Sequence, residues 1–139
     1  MTTFVDTNVL VYAHDLSEGQ RRPVAQAALD ELWRSRSGTL STQVLSEFYV
    51  VATRKFDPPM ARPAARRIVG AYTAWPVVGV DGPLILAASS LEERHTLSFW
   101  DALIIEAAAR SGATRLLSED LQTGRRIRGV TIENPFAGT

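Results

Sequence analysis

The sequence predicts an α/β fold in which a mainly parallel sheet is covered by helices on both faces. Short apolar segments rich in β-branched residues alternate along the chain with longer segments whose apolar residues recur at helical spacing. The chain has 139 residues, the length of one domain, and no cysteine, which excludes disulfides and metal–thiolate sites. We therefore expect residues 1–139 to form a single domain.

The predicted strands are short apolar runs, at residues 3–5, 39–41, 77–80, 114–117 and 130–132. The predicted helices alternate with them, at residues 8–14, 23–36, 43–56, 61–75, 83–93, 99–110 and 121–127. In parallel sheets of this kind, ligands bind outside the carboxyl ends of the strands. Polar residues at those ends are therefore the first candidates for a functional site.

Local signals set several helix boundaries. Gly38 and Gly112 are typical of residues that follow a helix. Pro63 fits the first turn of the helix predicted over residues 61–75, and Asp81 is a candidate cap for the one over 83–93.

The charge balance restricts the partners. Acidic and basic residues number 15 each, so the chain has no long charged arm for nucleic acid. All basic residues except Lys55 are arginines, which suits phosphate recognition but is equally typical of a GC-rich genome. The first residues lack a basic segment, and no apolar run approaches the roughly 18 residues of a membrane span. We expect a cytoplasmic protein with no membrane contact.

Four carboxylates are the candidate functional residues. Asp6 directly follows the first predicted strand, and Asp120 follows the fourth. Glu47 shares a helix face with the apolar Val44 and Phe48, where a carboxylate needs a metal, an arginine or several donors as partners. Asp101 lies in the first turn of the helix predicted over residues 99–110.

Each acid also has an ordinary structural explanation. Asp6 is a possible helix cap, and Glu47 a possible ion-pair partner at the edge of its apolar face. Ser98 and Asp101 have the spacing of a capping box. Ser118 is a possible cap for the helix predicted over residues 121–127, with the acids after it complementing the helix dipole.

The joint placement of the four acids favours a metal site. Clustered carboxylates repel one another, and a divalent cation relieves that repulsion. Oxygen ligands without cysteine or a histidine pair suit Mg²⁺ or Mn²⁺. Such ions activate water and neutralise charge on a phosphate, so metal-dependent phosphodiester hydrolysis is the reaction that this set suggests.

These acids, in this order, resemble the PIN-domain ribonucleases, and in particular the VapC branch of bacterial toxin–antitoxin systems. The segments that carry the resemblance are VDTNVL at residues 5–10, SEF at 46–48, LSFWDALI at 97–104, LSEDL at 117–121 and VTIENPF at 130–136. The similarity extends over nearly the whole chain.

The resemblance implies a three-layer α/β/α sandwich with a four- or five-stranded, mainly parallel sheet. It implies an endoribonuclease toxin that requires Mg²⁺ or Mn²⁺, usually cleaves transfer or ribosomal RNA, dimerises, and is neutralised by a cognate antitoxin protein. Carried over by motif, the metal ligands and catalytic residues are Asp6, Glu47, Asp101 and Asp120. Asn8 and Ser118 match polar residues that position ligands or substrate.

Phosphate and partner contacts have weaker candidates. Arg125, Arg126 and Arg128 follow the last acid and are our first choice for RNA binding, although solvated arginines are the more ordinary reading of each group. Two further arginine groups, at 21–22 and at 62–67, are open to the same two readings. Residues 23–51 are rich in Leu, Val, Phe and Tyr, and are the candidate for an apolar groove that binds an antitoxin.

Three alternative functions remain open from the sequence. A non-catalytic PIN-like module would bind RNA or protein without a metal, and a related nuclease would act on DNA. A phosphoacceptor receiver domain would need a lysine near a late strand end, whereas Lys55 follows a middle helix.

Overall fold

A computed structural model describes residues 1–138 and shows a sheet with helices packed against it. The strands are β1 (Thr3–Val5), β2 (Gly38–Ser41), β3 (Val77–Val78), β4 (Arg115–Leu117), β5 (Arg126–Ile127) and β6 (Val130–Glu133). The helices are α1 (Thr7–His14), α2 (Arg21–Ser35), α3 (Thr42–Arg54), α4 (Arg62–Tyr72), α5 (Gly82–Arg94) and α6 (Phe99–Arg110).

The sheet is mainly parallel, as predicted. Its strand order is β3-β2-β1-β4-β6-β5, and only β5 runs antiparallel to its neighbour. Helix α1 packs on α2 and α3, and α3 packs on α4, whereas α6 packs on α5 and against β2, β4 and β6. This arrangement is the predicted three-layer α/β/α sandwich. The central strands β1 and β4 are paired in parallel, so their carboxyl ends lie side by side.

Two predictions about the sheet and the segment after β4 were wrong. The sheet has six strands instead of four or five, and residues 121–127 do not form a helix. Gly124 has a positive φ of 83°, which interrupts a helix, and its N–H donates to the carbonyl of Ile132 at 2.8 Å. The chain therefore turns back along β6, and β5 pairs with β6 as a short hairpin strand.

The helix predicted over residues 23–36 ends at Ser35, and its cap residue is Arg36 and not Gly38. Arg36 adopts the left-handed conformation with φ of 54°. Gly38 instead begins β2, where a Cβ would lie 2.7 Å from the ring of Trp75. The buried Trp75 ring packs at 4.9 Å from Trp33 and 5.1 Å from Tyr72, measured between centroids. Glycine is required here because the indole occupies the space of a side chain.

Other helix boundaries agree with the predicted caps. The Asp81 carboxylate accepts from the N–H of Leu84 at 2.9 Å, which caps α5 as expected. Within residues 1–138, no helix combines the length and the apolar composition that crossing a membrane requires.

We predict that Gly38→Ala lowers the free energy of unfolding by about 1–3 kcal/mol, because the added methyl group overpacks the Trp75 ring. Urea unfolding followed by far-UV circular dichroism measures this change. Gly70→Ala is the matched control, since Gly70 lies in α4 with nothing within 4 Å of an added Cβ. The control should gain roughly 0.5–1 kcal/mol. Equal effects of the two substitutions would contradict the packing argument.

Candidate metal centre

The candidate site begins where the two central strands end. Val5 of β1 and Leu117 of β4 are paired in register, and the N–H of Asp6 donates to the carbonyl of Leu117 at 3.0 Å. Asp6 and Ser118 are therefore the first residues beyond neighbouring strand ends. This placement agrees with the position expected for ligands in a parallel sheet.

Asp6 is a buried carboxylate with no cationic partner among residues 1–138. Its Oδ1 accepts from the N–H of Thr7 and its Oδ2 from the hydroxyl of Ser118, both at 2.7 Å. Burial raises the pKa of Asp6 to about 6, against the lowering effect of those two hydrogen bonds. The negative charges of Asp120 and Glu47 raise the pKa further. Asp6 therefore caps α1, as expected, and its negative charge is disfavoured by burial and by the neighbouring acids.

Glu47 faces the same region from α3, but it is solvent-exposed and not directed into the apolar core. Val44 and Phe48 take the buried positions of the helix, which leaves Glu47 on its flank. The hydroxyl of Thr7 donates to Glu47 Oε1 at 2.9 Å. Because the backbone of Thr7 also donates to Asp6, this one residue bridges the two acids.

Asp101 lies in the first turn of α6, where Ser98 caps the helix. The N–H of Asp101 donates to the Ser98 hydroxyl at 3.1 Å, so the predicted capping interaction is confirmed. The carboxylate is half-buried, and burial together with the charge of Asp120 raises the pKa of Asp101. The backbone of Asp101 thus takes part in capping the helix, while its carboxylate is left for a possible functional role.

Asp120 is oriented by a turn and not by a helix. The Ser118 hydroxyl accepts from the N–H of Asp120 at 3.2 Å, so Ser118 closes a turn instead of capping a helix. Asn8 donates through its Nδ2 to Asp120 Oδ2 at 3.1 Å, and its Oδ1 accepts from the N–H of Glu119 at 3.2 Å. Asn8 thus connects α1 to both acids that follow β4.

Glu119 is held away from the other acids. The hydroxyl of Tyr12 and the Nε of Arg21 each donate to its carboxylate at 2.5 Å. The Arg21 guanidinium also lies 5.5 Å from the centre of the Tyr12 ring. The hydrogen bond to Glu119 raises the pKa of Tyr12 to about 12. Glu119 is therefore an ion-pair partner, whereas Asp120 has no ion pair among residues 1–138.

Tyr12 is not among the residues predicted from the sequence, and Arg21 has a different role from the predicted one. Tyr12 lies one turn after Asn8 in α1, so the two side chains share the helix face next to the 118–120 turn. That spacing was a usable signal. Arg21 was a candidate for phosphate contact, whereas the structure shows it bonded to Glu119 and 3.9 Å from Glu18.

The structure brings the four predicted acids around one crevice without a ready-made metal cage. The charge of Asp6 interacts with those of Glu47 and Asp120, and Asp101 interacts with Asp120. Among the described residues, no three His, Cys, Asp or Glu side chains are close enough together to hold an ion as they stand. The donor set still fits a hard divalent cation, because all its atoms are oxygens and no cation neutralises them. Glu47 and Asp120 are exposed and are held by hydrogen bonds from Thr7 and Asn8, respectively. Ions of this class commonly keep several waters, so a complete cage of protein ligands is not required.

The three arginines predicted for RNA binding do not form one cluster. Arg128 donates to the buried carboxylate of Glu106 at 2.9 Å. Arg126 lines a shallow pocket with Thr114, beyond the amino end of β4, and Arg125 contacts His95 at 3.4 Å. Arg125 therefore lies beside the end of α5, and Arg128 is committed to an ion pair.

A groove of about 440 Å³ lies beside the acids between α3 and α6. Val80 and Leu103 provide apolar surface, and Gln43 and Glu47 contribute polar atoms. Trp100, the residue directly before Asp101, also lines the groove and is 62% exposed. We call this feature the Trp100 groove.

We predict that Asp6→Asn stabilises the protein above pH 6. Because the folded-state pKa of Asp6 lies above the ordinary value of 3.8, its ionisation costs stability between about pH 4 and pH 6, and the full cost persists above that range. A shift of about two units corresponds to up to about 3 kcal/mol. Thermal unfolding of both proteins across pH 4–8, without added metal, measures the difference.

Asp30→Asn is the control for that experiment, because Asp30 is an exposed acid on α2. Its stability should track that of the unsubstituted protein at every pH. A constant difference between Asp6→Asn and the unsubstituted protein from pH 4 to pH 8 would show that the Asp6 charge carries no cost.

Comparison with known proteins places this geometry in a family. The solved structures with similar folds include VapC20, a sarcin-ricin loop cleaving toxin from Mycobacterium tuberculosis, at 22% identity and a TM-score of 0.64. That match covers 83% of this chain and 87% of the toxin. A toxin–antitoxin complex from Klebsiella pneumoniae matches at 20% identity and a TM-score of 0.68, covering 97% of this chain and 98% of the other.

A DNA-bound VapBC structure from Salmonella typhimurium has 16% identity and a TM-score of 0.68, with 97% and 98% of the two chains covered. No curated protein shows significant sequence similarity to this chain. The family model for the PIN domain matches residues 3–127. That match includes all four acids at the ends of the central strands and the adjoining helices, and the chain therefore belongs to the PIN-domain family.

Proposed function

We propose that this protein is a metal-dependent endoribonuclease that acts as the toxin of a toxin–antitoxin pair. The observation that carries the proposal is the crevice at the ends of β1 and β4, where a buried Asp6 and three further carboxylates face one another without a cation. Maintaining this repulsion costs stability, and a divalent cation is the simple chemical group that relieves it. The PIN-domain match and the folds of VapC-type structures support this reading.

In the proposed mechanism Asp6, Glu47, Asp101 and Asp120 hold Mg²⁺ or Mn²⁺. When bound, such an ion lowers the pKa of a coordinated water and neutralises charge on the scissile phosphate. The other polar residues orient the ligands. The hydroxyl of Ser118 and the backbone of Thr7 fix Asp6, while Asn8 turns Asp120 towards the crevice.

The different hydrogen-bond partners of Glu119 and Asp120 support Asp120, and not Glu119, as the fourth metal ligand. Both oxygens of Glu119 are engaged by Tyr12 and Arg21. Holding Glu119 in this way anchors the 118–120 turn to α1 and α2. Its neighbour Asp120 is then presented on the side of the turn that faces Asp6 and Asp101.

The proposed partners follow from the same assignment. The substrate is RNA, with transfer or ribosomal RNA as the first candidates. The protein forms a homodimer in the cytoplasm, and its cognate antitoxin binds it and inhibits the nuclease. The Klebsiella pneumoniae and Salmonella typhimurium structures are toxin–antitoxin and VapBC assemblies, which supports an antitoxin partner. The candidate surface for its apolar segment remains the stretch over residues 23–51, in which Trp33 and Val50 are exposed.

We predict that purified protein cleaves RNA at discrete positions with Mg²⁺ or Mn²⁺ and not with EDTA. Asp6→Asn and Asp101→Asn should each lower the cleavage rate at least a hundredfold, because each removes a charged ligand from the ion. Sequencing of fragments from total cellular RNA measures both the rate and the target.

Glu93→Gln is the matched control, since Glu93 is an exposed acid of α5 outside the crevice. It should cleave at the unsubstituted rate. Folded protein free of antitoxin that cleaves no RNA would favour the non-catalytic binding module, and cleavage of DNA but not RNA would favour the related DNA nuclease.

We further predict that Asp120→Asn weakens Mn²⁺ binding at least tenfold, whereas Glu119→Gln changes it less than threefold. Asp120 loses a ligand charge, but Glu119 is already bonded to Tyr12 and Arg21. Isothermal titration calorimetry with MnCl₂ measures both dissociation constants. The reverse ranking would make Glu119 the ligand.

A further inference from the structure

An accessible face of the sheet lies at the amino end of β4, away from the acids. The residues that β4, β5 and β6 bury against the rest of the protein are apolar: Leu116, Ile127, Val130 and Ile132. Because strand residues alternate between the two faces of a sheet, the positions next to them lie on the opposite face. On that face Arg115 and Thr131 are partly buried and Arg126 is exposed. A ligand can therefore reach this part of the sheet from solvent.

The strand register places one arginine on each side of a threonine. Thr131 of β6 pairs with Arg115 of β4 on one side and with Arg126 of β5 on the other. Directly paired residues project from the same face of a sheet, about 5 Å apart from strand to strand. All three line one pocket of about 320 Å³, together with Thr114 and Glu133. The pocket therefore extends across three strands, with an arginine on each side.

The hairpin that carries Arg126 is fixed in position. Arg128 and Gly129 form the turn between β5 and β6, with positive φ angles of 54° and 75°. Arg128 also donates to the buried carboxylate of Glu106 on α6 at 2.9 Å, which ties the turn to that helix. The backbone of Arg126 is therefore held opposite Thr131 before any ligand binds.

Arg126 and the two threonines have side-chain donors that the fold does not use. The guanidinium of Arg126 forms no ion pair with any residue among 1–138. The backbone N–H groups of Thr114 and Thr131 donate to carbonyls at 3.0 and 2.9 Å, respectively. Their hydroxyls form no hydrogen bond within the same described residues. Hydrogen-bond donors without a protein partner therefore line this pocket.

Arg115 is held at the other side of the pocket by two contacts. Its Nε donates to Thr3 Oγ1 and its Nη1 to Glu133 Oε2, each at 3.2 Å. The side chains of Arg115 and Glu133 are 31% and 51% exposed. An ion pair this exposed contributes little to stability, so a bound anion can replace Glu133 as the partner of Arg115. Two arginines against one glutamate leave the pocket with a net positive charge.

We propose that this pocket, the Arg115–Arg126 pocket, binds a phosphate group. The planar fork of an arginine matches two phosphate oxygens, and threonine hydroxyls commonly donate to phosphate. Arg126 makes the main contact because its guanidinium is free. The pocket is separate from the acids, since Arg115 begins β4 and Ser118 follows its end, which separates them by about 10 Å. An RNA strand and a small phosphate compound both carry this group, and the proposal does not depend on the nuclease assignment.

Sodium pyrophosphate is the first probe for the pocket. It is titrated into the intact protein in metal-free buffer, so that binding depends neither on a divalent cation nor on cleavage. ¹H–¹⁵N NMR follows the backbone amide of Thr131 and the side-chain Nε–H of Arg126. We expect both resonances to shift saturably, and sodium chloride at matched ionic strength to leave them in place. Absence of a saturable shift at both resonances overturns the proposal.

Two substitutions with opposite expected effects test the assigned contacts in the same titration. Arg126→Ala should weaken pyrophosphate binding about fivefold or more, because it removes the free guanidinium. Glu133→Gln should strengthen binding about twofold, because Arg115 loses its competing carboxylate. Arg54→Ala and Glu93→Gln are the matched controls, since both residues are exposed on helices outside the pocket, and neither should change the affinity. Equal effects of Arg126→Ala and Arg54→Ala overturn the proposal.

A second measurement identifies the source of the phosphate. Fluorescence anisotropy of a short labelled single-stranded RNA compares Arg126→Ala with the unsubstituted protein in the same metal-free buffer. If RNA supplies the phosphate, the substitution weakens RNA binding about threefold or more and lowers the slope of log affinity against log salt by about 0.7. If only pyrophosphate binding falls, the source is a small phosphate compound. Either result supports the pocket even if RNA cleavage fails, in which case only the proposed nuclease function falls.

Discussion

The buried carboxylate of Asp6 is the constraint on which the rest of the site depends. It lies where β1 ends, and the hydroxyl of Ser118 donates to it from the end of β4 at 2.7 Å. Both residues are buried, so neither can exchange this bond for water without opening the sheet. Pairing of the two strands therefore fixes the position of the Asp6 carboxylate.

The fold maintains this carboxylate against electrostatic cost. Burial and the neighbouring acids disfavour its charge, and the donors Thr7 and Ser118 offset only part of that penalty. A protein selected for stability alone would place a neutral residue at this position. A cation bound here, as proposed, would remove this repulsion, and the free energy released on binding grows with the repulsion removed.

Two adjacent acids show how position changes the role of one chemical group. Glu119 and Asp120 carry the same charge and follow the same strand. Tyr12 and Arg21 engage Glu119, and Asn8 donates to Asp120. The first acid therefore anchors the turn to two helices, and the second remains free of cations and faces the crevice. Because Arg21 is bonded to Glu119, it is not available to bind phosphate, contrary to its predicted role.

The sequence determined the alternation of strands and helices, the capping by Asp81 and Ser98, and the four acids, because these depend on local periodicity and on spacing within one element. It also predicted the parallel sheet, whose strand ends place acids together. Local patterns misplaced residues 121–127, where a positive φ at Gly124 and pairing with β6 outweigh helical periodicity. A two-residue strand is too short to be recognised without its partner.

The tertiary structure alone decided which contacts the side chains make. Glu47 is exposed because Val44 and Phe48 occupy the inward positions of α3. The arginines at 125, 126 and 128 separate because they lie before, within and after the short strand β5 of a hairpin. The bonds of Glu119 to Tyr12 and Arg21 join residues about a hundred positions apart. Such long-range choices depend on how helices pack on the sheet, which no local pattern in the chain encodes.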